Sequence, residues 1–228
     1  MVIRQRAIQA EDKQERYHAI LDAAERLLAR APDRIANVGE VADEAGLAKG
    51  TVYLYFPSKD ELLLALHERH VDDFFNALIA TLKAAQPVTI ERLIEITQHW
   101  IVERATFLPL ATRCFGIMST QVSRDVAEGF HARMAERLGT AGALLDQRFA
   151  RFKPGDGVAL LRHSYALIVG LWQMSSAKVA DAQAGLDAHA MGAWDYGTDL
   201  TRALRHLWEG TIGAPLPSSV ATPLATVP

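Results

Sequence analysis

The chain has 228 residues, which is enough for one or two domains with a sizeable core. Its net charge of −3 excludes a protein that coats nucleic acid generally, but not a site-specific one, which needs positive charge only where it meets phosphate. The single cysteine, Cys114, cannot form an internal disulfide and suits a reducing compartment. It is expected to be a small core residue, with a redox sensor as the alternative.

Membrane and export signals are absent from the sequence pattern. The N-terminus lacks the apolar core of a signal peptide, and the most apolar run, 166–172, is too short to cross a bilayer. We therefore expect a cytoplasmic protein without a membrane-spanning segment.

The first residues differ from those that follow. Residues 1–13 include Arg4 and Arg6 and show no helical periodicity, so they are predicted to form a flexible basic arm. A helix with one apolar face is predicted from about Lys13 to Arg30. The break at 31–33 ends it.

Residues 37–56 have the pattern of two short helices around a tight turn. Asn37 is placed to cap the first helix with Glu40 three residues later, and Gly46 is placed to end it in the left-handed conformation. In the second helix, Val52 and Phe56 are four apart and are expected to face inward. The spacing predicts a helix-turn-helix.

A third helix is predicted directly after this motif. Pro57 ends the preceding helix, and Ser58 with Glu61 at the third position forms the pattern of a full capping box. This helix is expected to run to about Lys83 and to join two parts of the chain. His67 and His70 lack a third metal ligand at matching spacing, so they are expected on a solvated helix face.

The segment GLAKGTVYLYFPSKDEL, residues 46–62, resembles the signature of the tetracycline-repressor (TetR-type) family of transcriptional regulators. The helix over 20–29 resembles the first helix of that family. The resemblance spans roughly residues 14–74. Where the family usually has adjacent threonines, this chain has Ile35, Ala36 and Asn37, so the phosphate contact expected from a threonine falls to Asn37.

The resemblance implies that the second motif helix enters the major groove of DNA. Lysines and exposed helix-terminal amides are suited to phosphate, and the remaining outward side chains are suited to base edges and thymine methyls. The basic arm could also reach phosphate or a minor groove, with a solvated tail as the alternative. The predicted DNA contacts are Asn37, Lys49, Gly50, Thr51, Tyr53, Leu54, Tyr55 and Lys59.

The rest of the chain is predicted to be helical, which makes the fold all-α. A head over residues 14–74 is expected to be joined by the long helix to a ligand-binding and dimerisation domain over 75–210, followed by a disordered tail over 211–228. The predicted helices after the first four are 90–104, 109–120, 123–152, 158–178 and 194–209, with a loop over 179–193.

Two functions are expected of this second domain. One helix-turn-helix recognises few base pairs, so a homodimer on a palindromic operator is expected, with helices 158–178 and 194–209 in the interface or simply in the core. The resemblance also implies a pocket for a small hydrophobic effector. Its predicted lining is Trp100, Phe115, Met118 and Tyr165, with His99, Arg113, His131 and Tyr165 as polar candidates.

An enzyme is the main competing class. The sequence has no phosphate-binding glycine loop, nucleophile elbow or paired metal motif, so we expect no catalytic residue, metal or cofactor. The expected function is a ligand-responsive repressor. The alternative is a ligand-independent DNA-binding or architectural protein.

Overall fold

The computed structural model describes residues 2–32, 34–117, 122–183 and 195–213, and these form helices and the turns between them. The all-α fold class is therefore confirmed for the described part of the chain. The helices are α1 (Val2–Arg30), α2 (Val38–Ala45), α3 (Lys49–Tyr55), α4 (Lys59–Lys83), α5 (Ile90–Thr97), a π-helix (Gln98–Val102), α6 (Phe107–Ile117), α7 (Arg124–Arg148), α8 (Asp156–Gln183) and α9 (Tyr196–Ile212).

The head consists of α1, α2, α3 and the first turns of α4. Its buried core contains Ile20 and Leu21 of α1, Val41 of α2, and Val52 with Phe56 of the second motif helix. The inward orientation predicted for the last two is confirmed. Gly46 ends α2 with a φ of 67°, a left-handed conformation that glycine adopts without steric cost.

Helix α1 begins at Val2, so the prediction of a non-helical arm over residues 1–13 is wrong for the backbone. The segment has no glycine or proline, and its Ala, Gln, Glu, Lys and Arg residues favour helix, although their polarity hides any periodicity. The side chains of Arg4 and Arg6 lie outside the described part of the structure. Their proposed role therefore stays a prediction.

Helix α4 joins the two cores of the protein. Leu62, Leu63 and Leu66 belong to the head core, whereas Val71 and Phe75 belong to the core of the second domain, here called the body. Leu110 of α6 also packs into the head core. The boundary between the two cores therefore falls within one helix. A rotation of α4 would move both the head and the body.

The body is built from α5 to α9 and the second half of α4. Helices α7 and α8 approach closely at two glycines: a Cβ on Gly142 would lie 2.8 Å from the Val158 nitrogen, and one on Gly157 would overlap the Gly142 carbonyl oxygen. Side chains at these positions would force the helices apart. The two glycines thus fix a close α7–α8 contact.

Several predicted helix ends differ from the structure. The helix expected over 90–104 is α-helical only to Thr97 and then forms a π-helix, where the Thr97 hydroxyl donates to the Leu93 carbonyl oxygen. Helix α8 extends to Gln183, into the expected loop. Helix α9 starts at Tyr196, because Asp195 caps it by accepting from the Thr198 amide. The predicted tail lies outside the described residues from 214 onwards.

Candidate DNA interface and internal cavity

Asn37 has a structural role at the start of α2. Its Oδ1 accepts from the Gly39 and Glu40 amides at 2.8 and 3.1 Å, and its own amide donates to Glu40 Oε2 at 2.8 Å. The capping box predicted here is confirmed. Because the carboxamide oxygen is engaged, the exposed Nδ2 group is the part of Asn37 that could donate to a phosphate.

Helix α3 exposes a large apolar side chain. Leu54 is 84% exposed and Tyr53 is 44% exposed, although Val52 between the turn and these residues is fully buried. The Lys49 Nζ lies 5.9 Å from the Tyr53 ring centre, so the cation and the aromatic face lie on the same side of the helix. This is the face predicted to contact DNA.

The other predicted contacts on α3 are less exposed. Thr51 and Tyr55 are half-buried, and Tyr55 packs against the head core. Tyr55 was predicted to face outward, with aromatic packing as the alternative, and the structure shows it partly exposed and partly packed on the head core. Its position three residues after buried Val52 places it at the edge of the inward face. Tyr55 can contact DNA only with the part of its ring that the core leaves free.

Gly50 and Lys59 lie on the exposed side of the head. No described atom comes within 4 Å of the place where a Cβ on Gly50 would be, so internal packing does not require glycine there. Lys59 is exposed at the start of α4, where Ser58 Oγ accepts from the Glu61 amide at 3.1 Å. The full capping box is only half formed, since Glu61 instead accepts from the Ser123 amide at 3.5 Å.

Glu25 of α1 is the centre of a polar cluster between head and body, which we call the Glu25 joint. Its carboxylate accepts from Arg69 Nη2 at 2.5 Å, from Arg104 Nε at 3.0 Å, and contacts His70 Nε2 at 3.0 Å. Arg104 also donates to Asp73 Oδ2 at 2.7 Å. The joint thus connects α1, α4 and the segment that follows the π-helix.

The hydrogen bond from His70 lowers the pKa of Glu25 to about 2, with further lowering by the Arg104 and Arg69 guanidiniums. Burial lowers the pKa of His70, although the Glu25 carboxylate acts in the opposite direction. His70 is therefore neutral at neutral pH and donates its Nε2 proton to Glu25. The two arginines supply the positive charge of the joint.

A second set of ion pairs joins α4 to α7. Arg133 Nη2 donates to Glu68 Oε2 at 2.7 Å, and Arg137 Nη2 donates to Glu68 Oε1 at 3.2 Å. Arg137 also pairs with Asp72. These contacts tie the middle of α4 to the body, directly after Leu66, the last buried α4 residue of the head core.

A cavity of about 270 Å³ lies inside the body, between α4, α5, the π-helix, α6, α7, α8 and α9. Most of its lining is apolar, which suits a hydrophobic occupant. The lining residues are His67, Val71, Phe74, Phe75, Thr97, Ile101, Phe107, Ala111, Cys114, Phe130, His131, Met134, Leu138, Leu161, Arg162, Ser164, Tyr165, Ile168 and Trp208.

The four residues predicted to bind a ligand have different positions. Tyr165 lines the cavity, where burial raises its pKa to about 12. Trp100 does not line it; its ring packs edge-on against His99 with centres 5.0 Å apart. The Phe115 side chain and all of Met118 lie outside the described part of the structure. Among the polar candidates, His131 lines the cavity as well, whereas His99 and Arg113 do not.

His67 is the main lining residue that the sequence interpretation missed. It was expected on a solvated face together with His70, but the two are only 3% and 0% exposed. The correction follows from helix spacing: His67 is four residues after Leu63 and four before Val71, both buried. Burial lowers the pKa of His67 to about 3, so it is uncharged at neutral pH.

The expectation of a buried structural cysteine is confirmed. Cys114 is 2% exposed and lines the cavity, and burial raises the pKa of its thiol to about 12, which keeps it protonated and unreactive. Within the described ranges, no group of three His, Cys, Asp or Glu side chains could hold a metal ion. No helix there has the length and apolar character needed to cross a membrane.

Comparison with known proteins gives matches along most of the chain. The family profile described as "Bacterial regulatory proteins, tetR family" matches residues 20–66, and the profile "Tetracyclin repressor-like, C-terminal domain" matches residues 68–215. The boundary between these two profiles falls in α4, close to the boundary between the head core and the body core.

Relatives with a curated name are also similar to the chain. The HTH-type transcriptional regulator EthR of Mycolicibacterium smegmatis is 26% identical over 210 residues, 91% of this chain and 90% of that protein. The fatty acid metabolism regulator protein of Bacillus subtilis is 28% identical over 88 residues, 39% of this chain, and this match spans less than half of that protein, 45%.

A solved structure supports the same fold. The crystal structure of the TetR family regulator PfmR from Thermus thermophilus aligns with a TM-score of 0.53 at 17% identity, covering 86% of this chain and 99% of that one. At this identity the likeness concerns the fold alone.

Proposed function

Because this chain belongs to the tetracycline-repressor family of DNA-binding transcriptional regulators, we propose that it is a repressor that binds a palindromic operator as a homodimer and is released by a small hydrophobic molecule. The observation that favours this most is the exposure of Leu54 and Tyr53 on the second helix of the motif. Two adjacent exposed side chains of this kind on a motif helix suit contacts with base edges and thymine methyls.

The proposed DNA contacts divide into two kinds. Lys49, Lys59 and Asn37 contact phosphates, each near the N-terminal end of a helix, and fix the position of the head. Tyr53 and Leu54 contact base edges and thymine methyls in the major groove. Gly50 allows the backbone of α3 to approach the DNA, since nothing within the head fills the space beside it.

The proposed dimer uses the outer face of α8 with α9. Ala166 and Gly170 lie four residues apart on α8 and are not buried, and Met174, four further on, is 45% exposed. Small residues at this spacing allow two helices to approach closely, and an exposed methionine favours an apolar partner. Two copies joined here would present two heads to successive turns of DNA.

The proposed switch connects the cavity to the head through α4. His67, Val71 and Phe75 of α4 line the cavity, and the Phe107 ring, which also lines it, stacks on His70 with centres 6.2 Å apart. His70 in turn contacts Glu25 on α1. An occupant that displaces Phe107 or rotates α4 would move the head and change the distance between the two recognition helices.

Replacing Tyr53 tests the DNA-binding part of the proposal. We expect Tyr53→Ala to weaken operator binding by roughly tenfold or more, because one base contact is worth about 1–3 kcal/mol. Its melting temperature should stay close to wild type, since the side chain is exposed. Lys83→Ala is the matched control, an exposed change at the far end of α4. Equal operator affinity for both variants in a fluorescence anisotropy titration would reject the interface.

A further inference from the structure

One buried polar side chain of the cavity, His67, has a ring nitrogen with no hydrogen-bond partner among the described residues. His67 Nδ1 is fully buried, and no described residue forms a hydrogen bond with it. The ring is held in place by Phe107 and Phe130, with centres 5.4 and 6.4 Å away. A buried polar group without a partner destabilises the folded state, and native structures usually supply one. An occupant of the cavity could supply it.

Two other buried polar side chains of the lining, Thr97 and Ser164, already have partners. The Thr97 hydroxyl donates to the Leu93 carbonyl oxygen at 3.0 Å. Ser164 Oγ donates to the Leu160 carbonyl oxygen at 2.8 Å and accepts from Trp208 Nε1 at 3.0 Å. These groups gain little from a ligand. His67 is therefore better placed than Thr97 or Ser164 to gain a hydrogen bond from a ligand.

The lining also limits the charge of an occupant. None of the described residues that line the cavity is Asp or Glu, so an organic cation would be buried without a counter-charge. An anion deep in the cavity would face an imidazole whose pKa burial lowers to about 3, and so would meet no positive charge there. Arg162 and His131, the lining residues that could carry positive charge, are exposed and so lie towards solvent.

The volume sets the size of the occupant. An apolar cavity of about 150 Å³ holds benzene, so about 270 Å³ accommodates a molecule of roughly ten non-hydrogen atoms. A neutral imidazole donates from one nitrogen and accepts at the other. It can therefore pair with a hydroxyl group in either direction, or donate to a carbonyl oxygen.

We infer that the effector is an uncharged, mostly apolar molecule of roughly ten non-hydrogen atoms with one hydroxyl or carbonyl group that hydrogen-bonds to His67. This rests on the proposed function, since it assigns the effector class to the cavity proposed there. His67 favours this class because a hydroxyl or carbonyl group of the ligand can form the hydrogen bond that the protein does not supply. The apolar wall and the absence of a described carboxylate disfavour organic cations.

Calorimetric titration of the full-length protein without DNA tests this directly. The probes are phenylpropanol, its isostere butylbenzene, phenylpropylamine and phenylpropanoate. The variants are His67→Phe, which keeps an aromatic ring between Phe107 and Phe130, and His67→Leu as a second apolar replacement. Thr97→Val is the matched control, because it also makes a polar lining residue apolar but removes a hydroxyl whose bond is internal.

We expect phenylpropanol to bind wild type about five- to tenfold more tightly than butylbenzene, the effect of one neutral hydrogen bond. This preference should disappear in the folded His67 variants and persist in Thr97→Val, while the amine binds weakest. Tighter binding of phenylpropanoate, an unchanged preference in both His67 variants, or no binding by any probe would overturn the inference. Binding through His67 without any change in operator affinity would instead reject ligand control and leave the His67 assignment standing.

Discussion

The head and the body build their proposed sites in opposite ways. The head places its proposed DNA contacts within one run of chain, 37–59, on an exposed surface. The body encloses a cavity with residues drawn from His67 to Trp208, on seven helices. A local site depends on caps and turns, whereas an enclosed site depends on how distant helices pack. Changes at the exposed DNA contacts should therefore weaken binding without loss of stability, whereas changes at the Glu25 joint should alter stability.

The largest change in operator affinity is expected when dimerisation of the body is disrupted. Ala166→Glu puts a charge on the exposed face of α8, so the proposed dimer should dissociate and operator affinity should fall by roughly a hundredfold or more through loss of bivalent binding. Ala143→Glu, on an exposed position of α7, is the control. Sedimentation velocity and anisotropy measure the two effects. If Ala166→Glu stays dimeric, the interface lies elsewhere.

The Glu25 joint should make stability depend on pH in acid. Glu25 has a pKa of about 2 in the folded protein against an ordinary value of 4.5, so its contribution is present above pH 4.5 and is lost as pH falls towards 2. Between pH 5 and pH 3 this amounts to roughly 2 kcal/mol. Glu25→Gln should flatten the pH dependence of urea unfolding by that amount. Glu15→Gln, on the exposed side of α1, should not.

Gly50→Ala should separate stability from DNA binding within the head. Alanine favours helix over glycine by about 1 kcal/mol, and no described atom obstructs a Cβ at this position. The free energy of unfolding should therefore rise or stay equal, while operator affinity falls several-fold because the methyl group separates α3 from DNA. If affinity is unchanged, close approach at Gly50 is not part of the interface.

The smallest expected effect concerns a single phosphate. Lys59→Ala should reduce the slope of log affinity against log salt by about one, because one phosphate contact releases about one counterion. Operator titrations over a series of salt concentrations measure the slope, with Lys83→Ala as the control. A slope equal to that of wild type would remove Lys59 from the phosphate contacts.

Sequence patterns predicted the head better than the body for a physical reason. The Asn37 capping box, the Gly46 turn and the inward Val52 are local, because each depends on residues within a few positions. The partial burial of Tyr55 was missed, since it depends on packing against the head core. The half-formed cap at Ser58 was missed because Glu61 accepts instead from Ser123, far along the chain.

In the body, the helices were predictable but the cavity lining was not. Periodicity places residues on an inward face without showing which of them border empty space. Trp100 is on a π-helix, and this change of helical geometry was not visible in the pattern. His67 shares the spacing of Leu63 and Val71, so it could have been assigned to the buried face. Its polar character favoured a solvated position instead.

In the proposed mechanism, occupancy of the body cavity controls the DNA affinity of the head. Its most direct test uses a compound that raises the melting temperature and an operator identified by footprinting upstream of the protein's own gene. The operator dissociation constant is measured with and without the compound, and that of the compound with and without operator. The two ratios must be equal, and we expect at least a tenfold change, about 1.4 kcal/mol of coupling. A compound that occupies the cavity and leaves operator affinity unchanged would contradict the claim.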